Sequence, residues 1–318
     1  MDQNEIRTGV VGLGYFGSFH ARQHAANPRA RLVAVVDADH GRATAVAAEH
    51  GAQPLFDHRD LIGKVDAVSI TVPTSLHHAV AGDLLDAGIH VLIEKPIAES
   101  PEAARDLIRR AAAAGVVLQV GHIERFSPVF GELARATQAP RVIELTRIGP
   151  WKGRAVDVDV VLDLMIHDID LALALISSPV SSVEAIGAAV RAPTNDFAHA
   201  LLRFENGAAA HLHASRVADR QERTIRVVDM DRVVLADLAA RTVSWTAHGA
   251  DDRHEIAVPP SDNLALEIGS FLDAVARRQP PVVDGEAGLR ALDVAERIMR
   301  AIKRPSEAAQ YSMNGVSS

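Results

Sequence analysis

No cysteine occurs in the 318 residues, which excludes disulfides, thiolate metal sites and cysteine nucleophiles. The opening Met1-Asp2-Gln3-Asn4-Glu5 lacks a basic stretch followed by an apolar one, so no signal peptide is expected. Long apolar runs are missing too: Val65–Val72 has the length of a core strand, far short of a bilayer span. Nor is there an excess of positive charge. The formal net charge of −8 argues against nucleic acid as a partner, but leaves room for a local basic patch that holds a phosphorylated metabolite. There is no internal repeat and no low-complexity segment. With 48% apolar and 23% charged residues, the composition is that of an ordinary globular protein, long enough for two domains. A soluble, cytoplasmic protein is the expectation.

From Ile6 to about Val120, short apolar runs alternate with helical patterns. Arg7–Leu13, Leu32–Val36, Ala67–Val72, His90–Ile93 and Val116–Val120 read as strands; Phe16–Ala26, His40–His50, His77–Ala87 and Glu102–Ala114 read as helices. Such alternation predicts a parallel sheet covered by helices on both faces. After Gly121 the character changes. A helix over Val129–Thr137, a strand over Arg141–Ile148 and a long helix from Val161 to Ile176 precede six strand candidates between Val183 and Ala247. Consecutive strands without helices between them imply a mostly antiparallel sheet, and Asn206-Gly207 marks a hairpin within it. Helices over Leu264–Arg277 and Glu286–Ile302 close the chain, and the tail from Pro305 is expected to fray. The fold class is therefore α/β, with an N-terminal parallel-sheet domain over 1–121 and an α+β domain with an open, mainly antiparallel sheet over 122–318.

Gly12-X-Gly14-X-X-Gly17 stands between the first strand and the first helix, the context in which such a turn seats a dinucleotide diphosphate. Asp37 ends the second strand, 20 residues beyond Gly17, where a carboxylate takes both hydroxyls of the adenosine ribose and repels a 2′-phosphate. NAD is thus expected over NADP. Thr71, Pro73 and Thr74 follow the next strand of the sheet and can border the nicotinamide ribose, with His77 in contact. Alternatively, Pro73 merely ends the strand and Thr74 or Ser75 caps the next helix.

Lys95, in Glu94-Lys95-Pro96, ends an apolar strand. It is either a hydrogen-bond donor to a substrate oxygen or one half of a surface ion pair. Asp163, His167 and Asp170 share one face of a helix by their spacing, and a histidine there suits proton removal from a sugar hydroxyl near neutral pH. The plainer reading is a helix histidine among exposed aspartates. No third ligand set accompanies these groups, so no metal is expected, and His211-X-His213 reads as the polar face of a strand.

With these motifs the sequence resembles the Gfo/Idh/MocA family of NAD(P)-dependent sugar oxidoreductases over essentially its whole length. The resemblance puts the reacting hydroxyl against Lys95 and His167, with Asp163 assisting. It adds Tyr15, Phe16 and Glu94 to a cofactor site that also includes Lys95. It further implies a Rossmann domain followed by an open sheet through which members form dimers or tetramers. Gly121–Pro128 and the run from Arg147 to Asp170 are similar to one branch, the UDP-N-acetylglucosamine 3-dehydrogenases, whose products pass to a pyridoxal-phosphate aminotransferase and in some cases enter lipid A or other surface polysaccharides. Ser127 stands where that branch often carries Asn. Within this likeness Arg125, Arg147, Arg154 and Arg216 are candidates for a nucleotide diphosphate, and Trp151 for stacking on uracil or packing under its loop. The resemblance implies NAD-dependent oxidation of the 3-hydroxyl of a UDP-sugar. A free sugar, an inositol or another nucleotide sugar is the alternative substrate, and a non-catalytic NAD-binding regulator the alternative class.

Overall fold

The computed structural model describes residues 5–303, so the tail expected to fray from Pro305 lies outside the described residues. In chain order the first elements are β1 (Ile6–Val11), α1 (Tyr15–Ala26), β2 (Ala30–Val36), α2 (His40–His50), β3 (Gln53–Leu55), β4 (Ala67–Ile70), α3 (Thr74–Asp86), β5 (His90–Glu94), α4 (Pro101–Ala114) and β6 (Leu118–Gly121). They are followed by α5 (Pro128–Ala136), β7 (Val142–Ile148), α6 (Ile166–Leu175), β8 (Val180–Ala188), β9 (Phe197–Phe204), β10 (Ala209–Ser215), β11 (Glu222–Val228), β12 (Arg232–Asp237), β13 (Thr242–Ala247), β14 (Arg253–Ala257), α7 (Asn263–Arg277) and α8 (Gly285–Lys303). Two compact units result: Met1–Ser127 with Ser261–Leu292, and Pro128–Pro260 with the chain from Asp293.

In the first unit six parallel strands run in the order β3-β2-β1-β4-β5-β6. Their apolar runs are buried because helices cover both faces; Val91, Leu92 and Ile93 of β5 have no exposed surface at all. Helix α7 contributes Ile268, Phe271 and Leu272 to a cluster with Ile6, Ala30 and Leu92, so a segment more than 130 residues downstream completes this core. The helix ends follow local chemistry. Ser100 accepts the Ala103 N–H at the start of α4, Pro101 takes the first helical position, and Gly115 closes the helix in a left-handed conformation.

The second unit is an eight-stranded sheet in the order β14-β13-β12-β11-β7-β10-β9-β8. All neighbours are antiparallel except β7 and β10, which pair in parallel from Val142↔Ala209 to Ile148↔Ser215. That exception matters for the site, because it brings the C-terminal ends of two strands to one edge of the sheet. Between β9 and β10, only Gly207 of the Asn206-Gly207 pair takes a positive φ (+83°), while Asn206 Oδ1 accepts the Ala208 N–H. No helix among the described residues is long and apolar enough to cross a membrane.

Candidate active site

In the first unit, strand order reverses direction between β1 and β4, and the ends of these two strands open a crevice. The turn after β1 needs glycine for reasons of space. Gly12 has φ +86°, and a Cβ there would lie 2.8 Å from the Val72 nitrogen; a Cβ on Gly17 would run into the Gly12 carbonyl oxygen. Gly14 caps α1, and its position beside the crevice turns the positive end of the helix toward whatever binds there. The cleft holds about 1170 Å³ of free space and is lined by Gly12, Gly14, Asp37, Arg42, Thr71 and Pro73, among others. Such a cradle fits a dinucleotide.

Asp37 is held in place from three directions. Its Oδ2 accepts the Leu13 N–H at 2.7 Å, its Oδ1 accepts the Asp39 N–H at 2.8 Å, and the Arg42 guanidinium lies 3.2 Å away. Arg42 is a cleft residue that sequence reasoning missed; its signal was a basic side chain in the first turn of the helix that follows Asp37.

Several expected contacts take another form. Tyr15 and Phe16 project into solvent, 67% and 60% exposed, and lie outside the cleft lining. His77 is buried, with Nε2 2.9 Å from the Val72 carbonyl and Nδ1 2.9 Å from the Pro96 carbonyl. Burial lowers its pKa, so at neutral pH the ring donates to one carbonyl at a time and ties the β4 loop to the Lys95-Pro96 turn. Helix α3 begins at Thr74 with Pro73 at its cap position, and neither Thr74 nor Ser75 caps it.

Lys95 directly follows β5, half-buried, with a cis peptide bond to Pro96. Behind it lies an unusual concentration of polar groups. His20 Nε2 is 3.1 Å from Glu94 Oε1, His24 Nε2 is 2.8 Å from Ser69 Oγ, and Glu267 on α7 is fully buried with neither carboxyl oxygen hydrogen-bonded. Burial, then the charge of Glu94, push the Glu267 carboxyl well above its ordinary range. A carboxyl with a raised folded-state pKa stabilises the fold fully below its unfolded value of about 4.3, and that contribution is lost as pH rises toward the folded-state value. Glu267→Gln is therefore expected to melt higher than wild type at neutral and alkaline pH, and to lose less stability between pH 5 and pH 9. Thermal melts across that range check it; a variant melting below wild type throughout would mean an ionised, partnered carboxylate.

In the second unit, the parallel β7–β10 pair sets Arg147 and Arg216 at neighbouring strand ends, and β11 runs antiparallel so that Arg223 faces Arg147. These residues line a cleft with about 580 Å³ of free space, together with Trp151, Lys152, Arg154 and Asp163. Two of the expected diphosphate ligands are committed to protein acceptors. Arg147 donates to Asp168 Oδ1 at 3.0 and 2.9 Å in a buried pair. Arg216 donates to Asp196 Oδ1, the Ala155 and Val158 carbonyls and Thr194 Oγ1, all within 2.8 Å. Burial works to raise the Asp196 carboxyl, but the Arg191, Ala192 and Val190 N–H groups and Arg216 outweigh it and hold it well below its usual value. These two arginines thus build the cleft wall, each with its charge balanced by a buried carboxylate. Trp151 lies under the Arg191 and Arg216 guanidinium groups, 5.6 and 5.8 Å from its ring centre. Lys152 and Arg154 are exposed at the mouth. Arg125 is on the short 3-10 turn Ile123–Phe126, in the first unit.

The expected continuous helix from Val161 is in fact a π-turn, Val161–Met165, leading into α6. Wider winding puts i+4 slightly short of a full turn instead of slightly past it, so Asp163 and His167 still share a side. Asp163 and His167 are half-buried, while Asp168 and Asp170 are buried, against the plainer reading of exposed aspartates. On β9 and β10, His199 stacks on His213 with ring centres 4.0 Å apart and on His211 at 5.7 Å.

Comparison with known proteins gives a consistent picture. A family model described as an oxidoreductase family with an NAD-binding Rossmann fold matches residues 6–122, and the GFO/IDH/MocA C-terminal domain matches 133–230. A UDP-N-acetylglucosamine 3-dehydrogenase from Acidithiobacillus ferrooxidans is 39% identical over 94% of this chain and 97% of its own. Its solved structure superposes with a TM-score of 0.90, covering 94% of this chain and 98% of that one. An inositol 2-dehydrogenase from Saccharopolyspora erythraea is 30% identical over 93% of this chain and 94% of its own. A solved structure described as a putative myo-inositol dehydrogenase, from Sinorhizobium meliloti, is 28% identical, with a TM-score of 0.81 over 93% and 97% of the two chains.

Proposed function

The chain belongs to the Gfo/Idh/MocA family of NAD-binding oxidoreductases, and from that premise we propose that it oxidises the 3-hydroxyl of a UDP-sugar, UDP-N-acetylglucosamine foremost, to the 3-keto sugar. That the chain is an NAD-dependent enzyme acting on a CH–OH group follows from the family and its relatives. The substrate class is carried by one observation. Five basic side chains line the cleft of the second unit; Arg147 and Arg216 are balanced by Asp168 and Asp196, which leaves Lys152, Arg154 and Arg223 against Asp163, a positive excess in a protein whose net charge is −8. A neutral hexose or inositol has little use for that charge, whereas a diphosphate is matched by guanidinium and ammonium donors. Arg154, Lys152 and Arg223 are the diphosphate ligands of this reading, and the Trp151 face receives the base.

The Gly12–Gly17 turn and Asp37 would hold NAD, which when bound supplies the hydride acceptor. Lys95 Nζ donates a hydrogen bond to the reacting hydroxyl oxygen and keeps it oriented. A ring nitrogen of His167 takes the hydroxyl proton as the C3 hydrogen leaves with its electron pair, so the alkoxide never accumulates. Asp163, on the same side of the π-turn, orients the imidazole or a neighbouring sugar hydroxyl.

Arg154→Ala and Arg223→Ala are each expected to raise KM for UDP-N-acetylglucosamine roughly tenfold, the effect of losing one charge-assisted hydrogen bond. Free N-acetylglucosamine, lacking the diphosphate, should lose roughly 10²-fold or more in kcat/KM on the same grounds. NADH formation with both sugars and with myo-inositol checks this. Equal kcat/KM for the free sugar or the inositol would reject the nucleotide-sugar reading.

A further inference from the structure

Beneath Lys95, the Glu94 carboxylate is gripped from three sides. His20 Nε2 on α1 is 3.1 Å from Oε1, the Lys95 backbone N–H donates to Oε2 at 3.3 Å, and the carboxyl lies against Gly121 so closely that a Cβ there would stand 3.2 Å from Oε2. Glu267 on α7 and His77 on α3 also lie close enough to feel its charge. Glu267 is kept neutral by burial and by Glu94, and burial keeps His77 and His24 uncharged as well, His24 being lowered to about 3. Glu94 therefore holds the negative charge of this interior. Burial opposes that charge, but His20 and Lys95 outweigh it and keep the carboxyl below its ordinary range.

His20 occupies a particular place in the chain. It sits one helical turn after Gly17, on the helix whose N-terminus faces the dinucleotide cleft, and it is 1% exposed. Its Nε2 faces the same carboxylate that receives the Lys95 amide. We propose that His20 is a positioning residue: through Glu94 it fixes the end of β5, and so the Lys95 side chain, from the helix that begins at the glycine turn. The inference rests on the role given to Lys95 above. A displacement of about 1 Å at a reacting group is enough to cost 10²-fold in rate, so a single hydrogen bond at this distance from the chemistry can matter.

The test compares His20→Leu with His20→Gln, using NAD and UDP-N-acetylglucosamine. Leucine fills the apolar space but cannot donate to Glu94; glutamine places an N–H near the position of Nε2. His20→Leu should lower kcat by about 10²-fold, with KM for the sugar and the calorimetric Kd for NAD little changed. His20→Gln should recover most of that loss despite a lower Tm, since its amide is partly unsatisfied inside the unit. A packing role predicts the reverse order, with leucine closer to wild type than glutamine. The proposal is overturned if His20→Leu keeps wild-type kcat, or if kcat follows Tm across the two variants. Lys95→Ala, measured alongside, separates the two levels. Retained turnover in that variant removes the Lys95 reading itself, while its loss together with an active His20→Leu removes only the role of His20.

Discussion

Lys95→Ala and His167→Ala are each expected to lower kcat on UDP-N-acetylglucosamine by roughly 10²–10⁴-fold, the usual contribution of a positioned acid or base. The two losses should differ in form. Lys95 donates to an oxygen whose negative charge grows as the proton leaves, so most of its contribution appears in the transition state and kcat falls more than KM rises. His167 accepts the proton itself, so its removal leaves the proton-transfer step without its base. Asp163→Asn keeps the size of the side chain and one acceptor oxygen while losing the charge, and should cost less than either. The NAD dissociation constant, read by calorimetry, should stay close to wild type in His167→Ala, because in this account the Gly12–Gly17 turn and Asp37 hold NAD. Wild-type turnover by either alanine variant would remove that residue from the chemistry.

Replacing Asp37 with Ser should swing cofactor preference from NAD toward NADP by about 10²-fold, from two effects of similar size. The carboxylate is lost as a charged acceptor for the ribose hydroxyls, which costs NAD roughly tenfold or more. Its repulsion of a 2′-phosphate disappears at the same time, and Arg42, 3.2 Å from Asp37 in the present structure, is released to pair with that phosphate. Arg42→Ala in the Asp37→Ser background should then reverse the gain for NADP without restoring NAD. Steady-state kcat/KM with both cofactors tests the pair. An unchanged ratio in Asp37→Ser would place the adenosine ribose elsewhere.

Much of this architecture was legible in the residues. Apolar runs of strand length separated by amphipathic segments read out the parallel sheet, and the helix over His40–His50 has the bounds its alanine-rich pattern implied. The glycine turn was legible because close backbone approach leaves no room for a Cβ at Gly12 or Gly17. What escaped was structure that periodicity does not encode. The π-turn at Val161–Met165 differs from an α-helix in hydrogen-bond register, and the apolar pattern there is too dense to report it. Strand β14 is exposed along its whole length, so it carries no alternation to be read. The partner of Arg216 is Asp196, 20 residues away and on no shared periodic face, so nothing in the sequence pattern marks that pair. Helix α7 returns to the first unit through contacts whose sequence separation hides them.

One buried group did leave a trace. Leu264, Ile268, Phe271, Leu272 and Val275 form the apolar stripe of α7, and Glu267 stands three residues after Leu264 and four before Phe271, on that same stripe. An acid placed there is either paired or protonated, and reading it as such would have pointed to the interior behind Lys95. His20 and His24, four apart on α1 with Ala21 between them, mark the facing side of the same interior.

The most direct measurement uses UDP-N-acetylglucosamine deuterated at C3, incubated with the protein and NAD, with both products weighed by mass spectrometry. The account predicts reduced cofactor one mass unit heavier than NADH, a 3-keto nucleotide sugar free of deuterium, and a slower rate than with the unlabelled sugar. Unlabelled NADH, or no reduced cofactor at all, would contradict it.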